Sequence, residues 1–210
     1  DVPEVDVLLD GTEVAGGVSY LEATPYQDAP AGIRAIQIRA AGTSAALVSS
    51  DVPVADAADY TVIAGGLEAS IEPIVLEDDN SLPAAGHAKL RTIHLGPSAP
   101  AVDLYFTTPG ADLANETPLL ANLGFGDSPQ YRELTGDVIF QVRATVAGSK
   151  TVVFDMGLNV FLTGDVLTAM VVEAAGGGAP LTLATLRDRS FADPPMRRSP
   201  GPHRTSSPRP

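Results

Sequence analysis

Ser98-Ala99-Pro100-Ala101-Val102-Asp103-Leu104-Tyr105-Phe106 stands 97 positions after Asp1-Val2-Pro3-Glu4-Val5-Asp6-Val7-Leu8-Leu9, and the two read as one phrase written twice. Further matches follow in order. Thr24-Pro25-Tyr26 pairs with Ser128-Pro129-Gln130-Tyr131, Ile36–Ala40 with Phe140–Ala144, and Asp59-Tyr60-Thr61-Val62 with Asp165-Val166-Leu167-Thr168. The offset drifts upward along the chain, as it does when insertions collect in loops. A repeat of roughly 100 residues is too long for a solenoid unit and suits a whole small domain. The sequence therefore reads as a tandem duplication within 210 residues. Its expected units are residues 1–80, a linker at 81–88, residues 89–188 and a tail at 189–210.

The local pattern is period two. Val5, Val7 and Leu9 alternate with Glu4, Asp6 and Asp10, and Val138, Phe140, Val142 and Ala144 alternate with Ile139, Gln141 and Arg143. Such alternation puts one face of a strand into a core and leaves the other wet. Turn signals come at short spacing: Asp10-Gly11, Ala15-Gly16-Gly17, Pro30-Ala31-Gly32, Ala41-Gly42, Pro109-Gly110, Ala147-Gly148 and Thr163-Gly164. Many short strands at this spacing predict an all-β fold, an antiparallel β-sandwich in each copy.

Composition narrows the function classes. Cysteine is absent, which removes disulfides, zinc–thiolate sites and thiol nucleophiles. No run approaches the length of a membrane-spanning helix. The segment Arg187–Pro210 holds six basic residues against Asp188 and Asp193, a local +4 in a chain of −13, so residues 1–186 carry −17. A body that acidic repels nucleic acid and anionic lipid. The six prolines of Ser190–Pro210 predict an extended tail without regular secondary structure, whose arginines are expected to lie on an acidic surface of this chain or a neighbour. The start at Asp1 shows neither a basic nor an apolar leader, so a signal peptide is not expected within this stretch.

The phrase Lys89-Leu90-Arg91-Thr92-Ile93-His94-Leu95-Gly96-Pro97-Ser98-Ala99-Pro100-Ala101-Val102-Asp103-Leu104-Tyr105 resembles the opening of the DUF4397 family, in which an Arg-x-x-His strand runs into Pro-x-Ala-Pro-x-Val-Asp-x-Tyr. Asp59-Tyr60-Thr61-Val62 and Leu76-Glu77-Asp78-Asp79-Asn80 resemble its closing strands. The resemblance covers residues 1–188 as two copies. It implies immunoglobulin-like sandwiches on exported prokaryotic surface proteins, and it implies no catalytic activity. The first copy departs from the pattern by lacking the Arg-x-x-His strand, and the basic tail stands outside it.

Catalytic chemistry has few carriers. His87 lies in the linker, His203 in the tail, and His94 inside the strand motif, where a hydrogen-bonded structural role is the first reading. A solvent-accessible His94 beside Asp103 would reopen a hydrolytic one. Asp6 and Asp103, at equivalent places, are expected to bind neighbouring backbone N–H groups. Glu77, Asp78 and Asp79 offer the oxygen ligands that Ca²⁺ takes, but lack the spacing of a dedicated loop, so a solvated acidic linker is expected and no cofactor. Asn115-Glu116-Thr117 is a glycosylation triplet followed by Pro118.

The expectation is a non-enzymatic extracellular structural or adhesive protein, with a carbohydrate- or ligand-binding module as the alternative. The missing opening strand adds a mode of self-association. Lys89–Leu95 supplies a strand to the second copy for which the first copy has no residues. Either the strand lies outside this stretch of sequence, or the first unit tolerates a shorter sheet, or another subunit donates a strand. Donation joins copies into a filament. Val5, Val7 and Leu9 are the expected assembly edge.

Overall fold

The computed structural model describes residues 4–67, 70–174, 178 and 180–189. The tail expected at Ser190–Pro210 and most of the Gly176-Gly177-Gly178 loop lie outside them. Fourteen strands occur among the described residues: β1 Val5–Leu9, β2 Thr12–Val18, β3 Gly32–Ala40, β4 Ala46–Val54, β5 Asp59–Gly65, β6 Glu72–Asp78, β7 His87–His94, β8 Val102–Thr107, β9 Leu120–Leu123, β10 Arg132–Thr135, β11 Ile139–Val146, β12 Val152–Val160, β13 Val166–Val172 and β14 Thr182–Arg189. One 3-10 turn, Leu113–Asn115, interrupts them. The fold is all-β, as the period-two pattern predicts.

Turn chemistry sets the first hairpin. Asp10 and Gly11 both have positive φ, 49° and 80°, and Leu9 pairs with Thr12 across them. Two left-handed residues in a two-residue loop give the turn whose twist matches flanking strands. Ala15-Gly16-Gly17, expected as a turn, instead lies inside β2. There the β1–β2 ladder slips twice, between Val5 and Val7 and between Val7 and Leu8. Gly17 at φ 67° is the residue that permits this bulged backbone.

Strands β1–β6 pair only among themselves, and so do β7–β14. In the N-terminal half one sheet runs β2-β1-β3-β4 and the other is the pair β5-β6. In the C-terminal half the sheets run β9-β8-β11-β12 and β10-β7-β13-β14. The first sheet has the same order in both halves. The second differs by β7 and β10. All ladders are antiparallel except β7 with β13, which is parallel. The exception has a simple cause: Leu95–Ala101 carries the chain from one sheet to the other between β7 and β8, so β7 is not the hairpin partner of its neighbour.

The expected edge at Val5, Val7 and Leu9 is corrected by this pairing. β1 is an interior strand, bonded to β2 on one side and β3 on the other. Nor is its alternation clean, because Leu8, on the face expected to be wet, is 5 % exposed while Val5, Val7 and Leu9 are half-buried. The open edge falls on β5, whose one partner among the described strands is β6.

The core follows the strand count. Leu90, Val102, Leu104, Val142, Ala169 and Val171 belong to a single buried cluster confined to the C-terminal half, where four strands face four. In the N-terminal half a two-strand pair must cover a four-strand sheet, and few side chains there, among them Leu8, Ile38, Val48 and Val52, are fully buried. Tight packing in the C-terminal half predicts intolerance at Gly136. A Cβ there would meet backbone of Thr163 at 2.7 and 2.8 Å. Gly136→Ala is expected to destabilise the protein by about 1–3 kcal/mol, measured by urea unfolding, because the backbone on both sides must move.

Candidate functional site

Two copies of a small polar cluster face each other between the halves. In the N-terminal half Asp78 closes β6 and receives the Tyr26 hydroxyl at 2.8 Å and the Thr61 hydroxyl at 2.7 Å, both on Oδ2. In the C-terminal half Asp188 on β14 receives the Tyr131 hydroxyl at 3.1 Å and the Thr168 hydroxyl at 2.8 Å, again both on Oδ2. The threonines lie on β5 and β13, and each faces the leucine two residues before its aspartate, Leu76 or Leu186. One geometry is thus built twice from one strand pairing.

Between them sits Arg91 of β7. Its Nη2 donates to Asp78 Oδ1 at 2.7 Å and to Thr168 Oγ1 at 2.8 Å, and its Nη1 donates to the Glu77 carbonyl at 3.1 Å. The guanidinium carbon lies 4.9 Å from the centre of the Tyr131 ring. The Arg91 side chain is 4 % exposed and that of Asp78 is 0 % exposed. Thr168 accepts from Arg91 and donates to Asp188, which relays the cation toward the second carboxylate. Lys89, two residues along β7 on the same face, bridges Asp79 at 2.9 Å and donates to Ser81 at 3.0 Å.

Of the run Glu77-Asp78-Asp79, expected as a solvated linker, Glu77 and Asp79 are exposed and Asp78 is buried. Asp78 belongs to a strand, and Arg91 and Lys89 occupy the two carboxylates; a bare acidic run packed against β7 draws its counter-charge from the lysine and arginine that alternate there. Among the described residues no group of three or more His, Cys, Asp or Glu is placed to hold a metal.

Electrostatics follow from burial. Burial pushes Asp188 up, against the hydrogen bond from Thr168 and the charge of Arg91, and with the charge of Asp78. Burial also pushes both tyrosines, Tyr26 and Tyr131, upward, so each hydroxyl stays a donor. Asp79 is drawn down to about 2 by the Ser81 hydroxyl and Lys89. Its folded-state pKa lies below its unfolded value, so its contribution is present above pH 3.8 and is lost as pH falls through 3.8 toward about 2. Asp188 has the opposite sign: stability rises as pH falls through its raised pKa. Asp79→Asn is expected to flatten the acid limb of the stability–pH curve between about pH 4 and 2, read by thermal melting, with only a small loss at pH 7 because the Asp79 side chain is 58 % exposed.

The other singled-out residues sit apart. His94 is 0 % exposed, and its Nδ1 accepts from the Gly96 N–H at 3.2 Å. Burial holds its pKa down, against the Pro100 carbonyl and the charges of Glu173 and Asp127. Asp103 takes the N–H groups of Asn122 at 2.7 Å and Gly148 at 2.8 Å; Asp6 takes those of Gly17 at 3.0 Å and Gly42 at 2.9 Å. Both carboxylates are thus used in joining strands, as expected. A cavity of about 220 Å³ opens beside Arg91, with Leu76, Glu77, Ser128 and Tyr131 in its wall.

A match to the family described as "Domain of unknown function (DUF4397)" spans residues 1–105, half of the chain. The chain belongs to the DUF4397 family. The match takes in the whole N-terminal half, crosses the Asp78–Arg91 junction and stops at Tyr105, so the DUF4397 match includes β7 and most of β8 but not the remainder of the C-terminal half. Among solved structures, the C-terminal domain of AlgF from P. aeruginosa is 20% identical, with 49% of this chain and 98% of that one covered and a TM-score of 0.33. No curated protein matches.

Missed by sequence reasoning were Arg91 as the junction cation and the Tyr–Thr–Asp sets. The tyrosines were paired correctly, 26 with 131. The phrase alignment sets Thr61 against Leu167, one residue short of Thr168, and that slip hides the recurring hydroxyl.

Proposed function

We propose that this DUF4397 protein is a non-enzymatic structural or adhesive component of the prokaryotic cell exterior, built of two tandem β-sandwich units. The observation that supports the reading most is the junction itself. Arg91 and Lys89 of the second unit are buried in ion pairs with Asp78 and Asp79 of the first, and Tyr20 of the first donates to the Glu173 carbonyl of the second at 3.0 Å. A junction held by buried charge fixes the angle between units, which suits a spacer or stalk more than an enzyme whose lobes must open. No helix among the described residues is long and apolar enough to cross a membrane. Fractionation of the native cells, with immunodetection at the surface, tests the reading; a strictly cytosolic pool would end it. Self-association into a filament lacks the edge expected at Val5, Val7 and Leu9, and negative-stain microscopy of the purified protein decides whether polymers form by another route.

The cavity beside Arg91 favours a second reading, an extracellular carbohydrate- or ligand-binding module. Its wall combines a tyrosine ring, a guanidinium and the Ser128 hydroxyl, which is buried without a partner among the described residues. Sugars are recognised by this mixture of an aromatic face and polar groups. Specific signals on a glycan array, lost in Tyr131→Ala, would move the assignment to this class.

A further inference from the structure

The two Tyr–Thr–Asp sets share the same pair of hydroxyl bonds on Oδ2 and differ at Oδ1. On Asp78, Oδ2 holds the tyrosine and threonine hydroxyls and Oδ1 holds Arg91. On Asp188, Oδ2 holds the tyrosine and threonine hydroxyls, while Oδ1 is buried with no partner among the described residues. A buried carboxylate oxygen is costly to leave without a hydrogen bond, so this position calls for a donor.

The sheet face that carries Thr61 and Asp78 packs against the face that carries Thr168 and Asp188, the same face in both halves. The reciprocity is electrostatic too: Asp78 acts on Tyr131 and Asp188, and Asp188 acts on Tyr26. Contact between like faces is two-fold in kind, so each donor serves its own threonine and the opposite aspartate. Arg91 obeys this rule, bonding Thr168 of its own half and Asp78 of the other. Its mate must bond Thr61 and reach Asp188 Oδ1. In the parallel β7–β13 ladder Arg91 stands opposite Thr168. The mate therefore belongs on a strand parallel to β5, opposite Thr61, and that is the edge of β5 that no described strand fills.

Two further observations agree. Gln27–Pro30, which correspond to β10, form no strand, and β10 itself pairs only with β7. Strand β13 is almost wholly buried where β5 is only half-buried. Both differences are what removal of one strand produces.

We propose that the open edge of β5 takes an arginine-bearing strand of the β7 kind, parallel to β5 and supplied by polypeptide leading directly into Asp1 in a longer chain, with its arginine opposite Thr61 and closing on Asp188 Oδ1. The connection has the right length. Asp1 precedes Val5 by the same interval that Ser98 precedes Val102, and in the C-terminal half His94 ends its strand only a few residues before Ser98. A strand tethered that closely meets its edge at high effective concentration, which a separate molecule does not.

The test is a peptide with the sequence of Gly86–Pro97 titrated into the 210-residue protein. The protein's own β7 occupies its place beside β13, so the peptide has only the β5 edge to fill. Expected are one peptide per chain, at least about tenfold slower amide exchange in β5, and a fall in the Asp188 carboxyl pKa followed by NMR. Alanine at the peptide position of Arg91 is expected to weaken binding at least about tenfold, as are Asp188→Asn and Thr61→Val in the protein, each first shown folded by thermal melting. The same sequence fused ahead of Asp1 is expected to raise Tm, leave the protein monomeric and abolish peptide binding. Unchanged β5 exchange, equal binding of the arginine and alanine peptides, or a dimer that already protects β5 would overturn the proposal; so would fused chains that swap the strand into oligomers.

Discussion

Arg91→Met is expected to lower the unfolding free energy by about 3–5 kcal/mol, measured by urea denaturation at pH 7. The substitution keeps most of the side-chain volume, so the loss reports charge and hydrogen bonding more than packing. What remains is Asp78, its side chain 0 % exposed, facing Asp188 with no cation between them. Two buried carboxylates cannot both stay ionised at close range, and one must take up a proton. The variant is therefore expected to be most unstable near neutral pH and to recover part of the loss as pH falls. Asp78→Asn in the Arg91→Met background should restore stability relative to Arg91→Met alone, because it removes a charge that has lost its partner. A loss below about 1 kcal/mol for Arg91→Met would show that the junction is wet and the ion pair marginal.

Asp103→Ala is expected to cost about 3 kcal/mol by the same measurement. Asp103 is 5 % exposed and holds the N–H groups of Asn122 and Gly148 at 2.7 and 2.8 Å. Charge-assisted bonds of this kind are worth about 1.5–3 kcal/mol each, and truncation leaves two backbone donors without an acceptor. Asp6→Ala provides the internal control. It breaks the equivalent pair of bonds, to Gly17 and Gly42, which hold the Asp6 carboxyl below its usual range. Asp6 lies where water can replace the lost acceptor, so its loss is expected to be clearly the smaller. Equal effects would mean that burial does not govern the value of this strand-joining carboxylate.

Much of the architecture was legible because it depends on local rules. Alternating Val, Ile and Phe predicted strands, and Asp10-Gly11 predicted a hairpin turn that the two positive φ angles deliver. The equivalence of Asp6 and Asp103 is legible from the shared Pro-x-Val-Asp of the two phrases and holds down to the bonds each makes. Register was not legible. Ile36–Ala40 was aligned with Phe140–Ala144, yet Asp6 pairs with Arg39 and Asp103 with Thr145, which moves the true correspondence two residues along the strand. A two-residue shift keeps every side chain on its face, so hydrophobic pattern cannot detect it. The one-residue slip at Thr61 and Thr168 does change faces, but β13 is apolar on both, and the pattern there gives no warning.

The expected edge failed for a related reason. Val5, Val7 and Leu9 follow the place that Lys89–Leu95 takes in the other copy, and a strand with no counterpart of that neighbour reads as an edge. Neighbours in a sheet are set by where β2 and β3 return, and both return beside β1.

The sequence by itself determined that this chain is all-β, that its two halves repeat a phrase, and that residues 1–80 hold no counterpart of Lys89–Leu95. Those properties live in local periodicity, turn chemistry and internal comparison. Only the tertiary structure decided that Asp78 of the acidic run is buried against Arg91, that Arg91 reaches Asp78 directly and Asp188 through Thr168, and that Asp188 Oδ1 lacks a donor among the described residues. Pairings between residues 13 to 77 positions apart depend on how two sheets pack, and a carboxylate shows no sign in the sequence of whether it will meet water or an arginine.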